Sequence, residues 1–238
     1  IRDSGLVEFG LDNKSALRCK NMFALGLVCW LFERPLEEAM HMLQNKFAKK
    51  PVIAQANIKA LTDGYNYGNN IHASVSTYRI ESKKAEPGFY TDVNGNKATS
   101  YGLIAAAEKA GLQLFLGSYP ITPATDILHE LSKRKDLGVI TVQAEDEIAG
   151  ICTSIGASFA GCLAATSTSG PGLALKSEAI GLAVIAELPL VIIDVQRGGP
   201  STGLPTKSEQ TDLMQALYGR NGESPAVVIA ASTPTDCF

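Results

Sequence analysis

This 238-residue sequence has little of what announces a chemistry by composition alone. Its five cysteines (Cys19, Cys29, Cys152, Cys162 and Cys237) include no C-x-x-C pair, which excludes a cluster or zinc site built from this chain alone. An odd, unpaired set also points to a reducing cytoplasm, so the sequon at Asn13 carries no weight. The three histidines, His41, His72 and His129, share no ligand spacing and read as surface or core residues. Neither sign of charge dominates: 21 Lys and Arg stand against 24 Asp and Glu, a net charge of −3, so no nucleic acid partner is expected. The "KRK" at 133–135 then reads as the basic end of a helix. The apolar run "MFALGLVCWLF" is too short to span a membrane, and no small-residue cleavage site follows to make it a secretory signal. There is no internal repeat and no low-complexity tract.

What is present is an ordinary globular composition, 45% hydrophobic and 19% charged, with enough chain for a sizeable core in one or two domains. Residues 15–64 read as three helices without a strand. The clearest is "RPLEEAMHMLQNKF", opened by Pro35, with Glu37 and Glu38 at its positive end and Leu36, Met40, Leu43 and Phe47 at helical spacing. An all-helical start at Ile1, without a methionine, predicts that part of a preceding domain lies elsewhere. Residues 65–97, rich in Asn, Gly, Ser and Lys, read as a linker. Within them "DGYNYGNN" lacks the strand and the spacing that a diphosphate-binding GDG motif requires. From residue 98 the rhythm changes. Apolar runs "LQLFLGS", "GVITVQA", "CLAATSTS", "LPLVIIDVQ" and "AVVIAAST" alternate with helical stretches near 99–110, 122–134, 146–160, 172–187 and 208–219, which predicts an α/β fold with a doubly wound parallel sheet of five strands.

Four of those strands end in residues a plain turn would not need: "YPITP", "EDE", "SGPG" and "QRGGPSTG". All four would gather on the carboxyl rim of the sheet, where open α/β sheets place ligands. In the first, Thr122 is expected to cap a helix with Pro123 in its first turn, and also to present a hydroxyl to a ligand. In the second, Glu145 and Asp146 suit the helix dipole, whereas Glu147 opens a helix lined by Gly150, Ser154, Ala157 and Gly161, small residues that let another backbone approach and bury this end. Burial would make Glu147 hold its proton more tightly. In the third, Gly170, Pro171 and Gly172 expose amides at a helix start but miss the phosphate-loop pattern, because Leu175 stands where a glycine should precede "KS". In the fourth, Arg197 beside glycine-rich backbone can offer its fork to a carboxylate, so a carboxylic acid substrate is plausible.

In this order, "YPITP", "EDEIAGICTSIGASFAG", "TSTSGPGLALKSEAIGLA", "DVQRGGPSTGLPT" and "QTDLMQALYGRNGESP" closely resemble the alpha subunit of 2-oxoacid:ferredoxin (acceptor) oxidoreductases, most of all the 2-oxoglutarate type. The resemblance covers 98–238 and implies the pyrimidine-binding domain of a thiamine diphosphate enzyme. Residues 1–64 are similar to the end of the family's gamma domain, which leaves 65–97 as the connection. By resemblance Glu147 bonds the cofactor's aminopyrimidine and promotes its imino tautomer. Thr122 and Arg197 would contact the 2-oxoacid, and Tyr119, Pro120, Ile121, Ser169, Gly170, Pro171 and Gly172 would border the cofactor. The resemblance also implies a beta subunit that carries the Mg2+ and diphosphate ligands and a [4Fe-4S] cluster, coenzyme A as acyl acceptor, and ferredoxin or a similar electron acceptor. The assembly would be a hetero-oligomer in which alpha chains can also pair, inactive as an isolated chain, and the family's later domains would follow "STPTDCF". A non-redox thiamine enzyme of the decarboxylase or acetolactate synthase kind, and a scaffold subunit without catalysis, are the alternatives.

Overall fold

The structure, a computed structural model, describes residues 5–71, 76–81 and 86–238, so His72 lies outside the described residues. The chain divides into two compact units, 1–88 and 89–238. In the first, a 3-10 turn at Leu6–Phe9 precedes α1 (Asn13–Arg18), α2 (Lys20–Leu31), α3 (Glu37–Lys46) and α4 (Pro51–Ile71). The expected helical character holds, with four α-helices where three are expected. The helix of "RPLEEAMHMLQNKF" starts at Glu37, two residues past Pro35, and Leu43 on its spaced face is 2% exposed. The run "MFALGLVCWLF" lies in α2, and no helix among the described residues is long and apolar enough to cross a membrane.

Part of the expected linker is helix. Residues 65–71 extend α4, and α5 (Gly95–Ala110) begins before residue 97, capped by Asn94, whose side chain accepts from the Lys97 amide. The reason lies in packing. A β-carbon on Gly64 would strike the Phe23 carbonyl of α2, and one on Gly68 would strike the Trp30 ring. These two glycines, the second of them in the expected linker, form the face that brings α4 against α2. The break between the units, after Gly88, also precedes the boundary expected at 97.

The second unit alternates as expected: α5, β1 (Leu114–Ser118), α6 (Thr125–Ser132), β2 (Ile140–Gln143), α7 (Glu147–Phe159), β3 (Leu163–Thr168), α8 (Pro171–Ile185), β4 (Val191–Asp194), α9 (Leu213–Tyr218) and α10 (Pro234–Cys237). The strands are parallel in the order β2-β1-β3-β4. Leu116, Ala165, Ile127 and Leu131 are fully buried in the core on one face of the sheet. Each large apolar side chain hidden this way contributes roughly 1.5–3 kcal/mol. On the other face Ile151, Leu173 and Ile180 form a second cluster. Two of the small residues of α7 act as expected: Ser154 Oγ accepts from the Gly117 amide at 3.1 Å and donates to the Ala165 carbonyl at 2.7 Å, while a β-carbon on Gly150 would sit 3.3 Å from the Ser118 Cα. Gly161 does not belong to the stripe, since the helix ends at Phe159 and Gly161, at φ +92°, turns the chain with no neighbour within 4 Å of a β-carbon.

Two expectations fail here. "AVVIAAST" forms no strand; Val227 and Ile229 are 91% and 85% exposed, and none of the described strands pairs with the segment. An apolar run becomes a strand only where a neighbour supplies the ladder bonds. Nor does α9 begin near 208: residues up to Asp212 belong to a loop in which Thr211 Oγ1 donates to the Arg197 carbonyl at 3.1 Å and Gly198 to the Lys207 carbonyl at 2.8 Å.

Candidate functional site

Strands β2 and β3 lie on opposite sides of β1, so the connections reverse direction between β1 and β3, and a crevice opens at the carboxyl ends of these two strands. Ser118 and Thr168 close them, and Ser118 Oγ bonds the Ser167 carbonyl at 2.8 Å, fastening the two strand ends together. The loops after β1, β2, β3 and β4 therefore meet on one rim, as the strand-end residues suggested.

The loop after β1 carries Tyr119, Pro120, Ile121 and Thr122. It is held by side chains rather than wound into a helix. Asn96 of α5 donates to the Pro123 carbonyl at 2.8 Å, and Arg197 donates through Nη1 to the Thr122 carbonyl at 2.8 Å. With these carbonyls engaged, α6 starts only at Thr125, behind Ala124 and with no side-chain cap. Thr122 thus does not cap the helix, and Pro123 precedes it instead of taking its first turn. The Thr122–Pro123 and Gly199–Pro200 peptides are both cis.

Arg197 itself is only 4% exposed. Its second nitrogen, Nη2, donates to the Thr202 carbonyl at 2.8 Å, which closes the glycine-rich loop on itself. That loop turns tightly enough that Gly203 has φ +57°, and a β-carbon there would strike the Gly198 carbonyl. Arg197 Nε is buried without a partner, and a guanidinium has five N–H groups, so donors remain for a ligand after both backbone bonds are counted. A cavity of about 490 Å3 opens here, walled by Gly170, Pro171, Arg197, Gly199, Thr211 and Asp212 among others.

Glu147 approaches the same turn from the opposite side. It opens α7 behind Asp146, whose side chain accepts from the Ala149 amide at 2.8 Å, and it is 8% exposed, as its small-residue helix predicted. A β-carbon on Gly172 would collide with Thr168 Oγ1 and lie 3.0 Å from Glu147 Cγ, while one on Gly170 would lie 3.9 Å from both Arg197 Cγ and Asp212 Oδ2. The Gly170–Gly172 turn is the hub: Glu147 touches one end of it and Arg197 the other. Arg197 and Thr122 are in direct contact; neither Glu147 nor Thr122 lines the cavity.

Three residues of this rim were not read from the sequence. Asp194, at the end of β4, has its carboxyl pushed up to about 8 by burial and by the carboxyl of Asp212 beside it, with the Gly170 amide opposing the shift. Lys176 of α8 is fully buried. An acid closing an apolar strand and a lysine on an otherwise apolar helix face were the available signals. Whether the rim suits a polar heterocycle can be judged from its orphans: Thr168 Oγ1, Ser169 Oγ, Asp194 Oδ1 and Asp212 Oδ2 are buried without a hydrogen-bond partner. Gly172 is packed against Thr168 and Glu147, and the open space lies on the Gly170, Arg197 and Asp212 side, so the donors and acceptors there fit the polar edge of an aminopyrimidine.

Comparison with known proteins agrees. Residues 105–238 match the family described as pyruvate flavodoxin/ferredoxin oxidoreductase, thiamine diphosphate-binding. The 2-oxoglutarate oxidoreductase subunit KorA of Mycobacterium tuberculosis is 58% identical over 98% of this chain and 36% of its own length. The alpha subunit of 2-oxoacid:ferredoxin oxidoreductase 1 from Aeropyrum pernix is 33% identical over 96% of this chain and 36% of its own. Among solved structures, 2-oxoglutarate:ferredoxin oxidoreductase from Magnetococcus marinus, with 2-oxoglutarate, coenzyme A and succinyl-CoA bound, superposes with a TM-score of 0.71 at 39% identity, over 98% of this chain and 40% of that one. The chain spans little more than a third of the length of these two curated relatives. By the family match, the relatives and the fold together, this chain belongs to the thiamine diphosphate-binding family of pyruvate flavodoxin/ferredoxin oxidoreductases.

Proposed function

We propose that this chain supplies the pyrimidine side of the active site in the alpha subunit of a 2-oxoglutarate:ferredoxin oxidoreductase, which converts a 2-oxoacid and coenzyme A to an acyl-CoA and carbon dioxide and passes two electrons to ferredoxin or a similar acceptor. The observation that carries this reading is the Gly170–Gly172 turn, with buried Glu147 against one end and Arg197 against the other, at the reversal point of a parallel sheet. When bound, thiamine diphosphate supplies a nucleophilic carbon and an electron sink for decarboxylation. This chain's part is to hold and orient. Glu147 presents a carboxyl that exchanges a proton with a ring nitrogen, and Ser169 and Thr168 offer the hydroxyls that border the ring. Arg197, fixed by the Thr122 and Thr202 carbonyls, directs its remaining N–H groups to the carboxylate of the 2-oxoacid. Tyr119, Pro120 and Ile121 close the rim on the β1 side.

By resemblance to the family, the Mg2+ and diphosphate ligands and the [4Fe-4S] cluster are assigned to a beta subunit. Residues 1–64 are assigned to the end of a gamma domain; the M. tuberculosis relative, which aligns with nearly the whole chain within one subunit, supports that assignment. The test is to copurify the full-length subunit with its partner and assay a panel of 2-oxoacids with coenzyme A and a dye acceptor. Dye reduction that needs coenzyme A and is fastest with 2-oxoglutarate is expected. Decarboxylation without dye reduction would replace this reading with a non-redox one.

A further inference from the structure

Lys176 has no place in the chemistry just described, yet it is the largest fully buried side chain among the described residues, at 0% exposure. It belongs to the "KS" that followed the SGPG turn without completing a phosphate loop. From α8 its Nζ donates to the backbone carbonyl of Glu147 at 3.0 Å and to Thr166 Oγ1 of β3 at 3.0 Å. One ammonium thus binds three elements at the point where α7 begins. A buried lysine is costly, and two acceptors leave one of its three hydrogens unserved by these bonds. Burial pushes the amine down to about 8; Glu147 and Cys152 of α7 and Asp146, which caps it, pull it back up. A methionine would fill this space at no such cost but could make neither bond.

We infer that Lys176 is the positioning residue for Glu147: its ammonium fastens the Glu147 backbone to β3 and so fixes where the Glu147 carboxyl stands. The inference rests on the proposed role of Glu147. A group that must both hold and give up a proton during turnover is then kept in place by a neighbour that never touches substrate.

The test uses the full-length subunit assembled with its partner, in three variants: Lys176→Met, Lys176→Gln and Glu147→Gln. For Lys176→Met, kcat is expected to fall about tenfold with little change in KM for the 2-oxoacid. The near-ultraviolet circular dichroism of bound thiamine diphosphate changes with it. Lys176→Gln keeps a donor for the tether, so it recovers much of the turnover and of the dichroic signal, and it stands in if the methionine variant fails to assemble. Unchanged kcat and dichroic signal in a folded Lys176→Met, or no recovery in Lys176→Gln, beside a severely impaired Glu147→Gln, would overturn the role of Lys176 while leaving that of Glu147 intact. Near-normal turnover of Glu147→Gln would remove both.

Discussion

At the scale of single residues, Arg197 and Asp194 show how one rim can use charge in two ways. Arg197 spends two of its N–H groups on the carbonyls of Thr122 and Thr202, which makes it rigid before any ligand arrives. Replacing it with alanine removes both the loop clamp and the carboxylate fork. Arg197→Ala is therefore expected to raise the KM for the 2-oxoacid at least tenfold, as loss of a charge-assisted bond implies, and that for coenzyme A far less. Steady-state kinetics with each substrate varied in turn decides it, and equal effects would count against a carboxylate contact. Asp194 has the opposite problem, an acid buried beside another acid. Its pKa in the folded chain, about 8, exceeds the ordinary 3.8, so the stability it contributes is complete below about pH 4 and is lost as the pH rises through 8. An asparagine can accept from the Gly170 amide and donate to Asp212 without a charge. Asp194→Asn should flatten the fall of the thermal midpoint between about pH 5 and 8, and raise it at pH 8 by about 2 °C. An unchanged pH dependence in differential scanning fluorimetry would refute the coupling of Asp194 to the Asp212 carboxyl beside it.

At the scale of elements, small residues decide where helices can sit. Gly172 lets α8 start beside Thr168 and Glu147; a β-carbon there has no room, whereas one on Gly156, on the exposed side of α7, meets nothing within 4 Å. Gly172→Ala is expected to destabilise by about 1–3 kcal/mol and to lower activity, because it crowds Glu147 directly. Gly156→Ala should stabilise by about 0.5–1 kcal/mol through helix propensity. Denaturant titration of the two variants checks the pair, and similar effects at both positions would show that proximity to Glu147 is irrelevant. The same contrast explains what could be read beforehand. The small-residue stripe of α7 was legible because its period is helical, and Glu147 could be placed at its buried end. In α4, Gly68 carried the same meaning but stood among asparagines and tyrosines, and composition there pointed to a loop. Thr122 and Pro123 misled for a different reason: the local pattern suits a cap, but two distant side chains, Asn96 and Arg197, hold the loop's carbonyls and postpone the helix.

At the scale of the whole molecule, the proposed site is one-sided. The rim gathers an acid, a guanidinium and orphan hydroxyls, while the metal and electron-transfer groups are assigned to another subunit. The full-length subunit purified alone should therefore show no coenzyme A-dependent dye reduction, and mixing it with the beta subunit should restore it. Turnover by the isolated subunit would refute the division of the site between chains. The exposed Val227 and Ile229 belong to the same scale, since an apolar run such as "AVVIAAST" signals only that burial would be favourable, not which neighbour provides it.

The alternation of apolar runs and helical stretches, the carboxyl-end placement of unusual residues and the burial of Glu147 followed from local chemistry, because strand and helix periods and small-residue spacing act between residues close in the chain. Strand order, the contact of Arg197 with Thr122, the Asp194–Asp212 pair and the Lys176 tether to Glu147 were decided only by the tertiary structure. Each joins groups from separate elements, and the free energy that brings such groups together comes from packing the intervening core, which no short stretch of sequence contains.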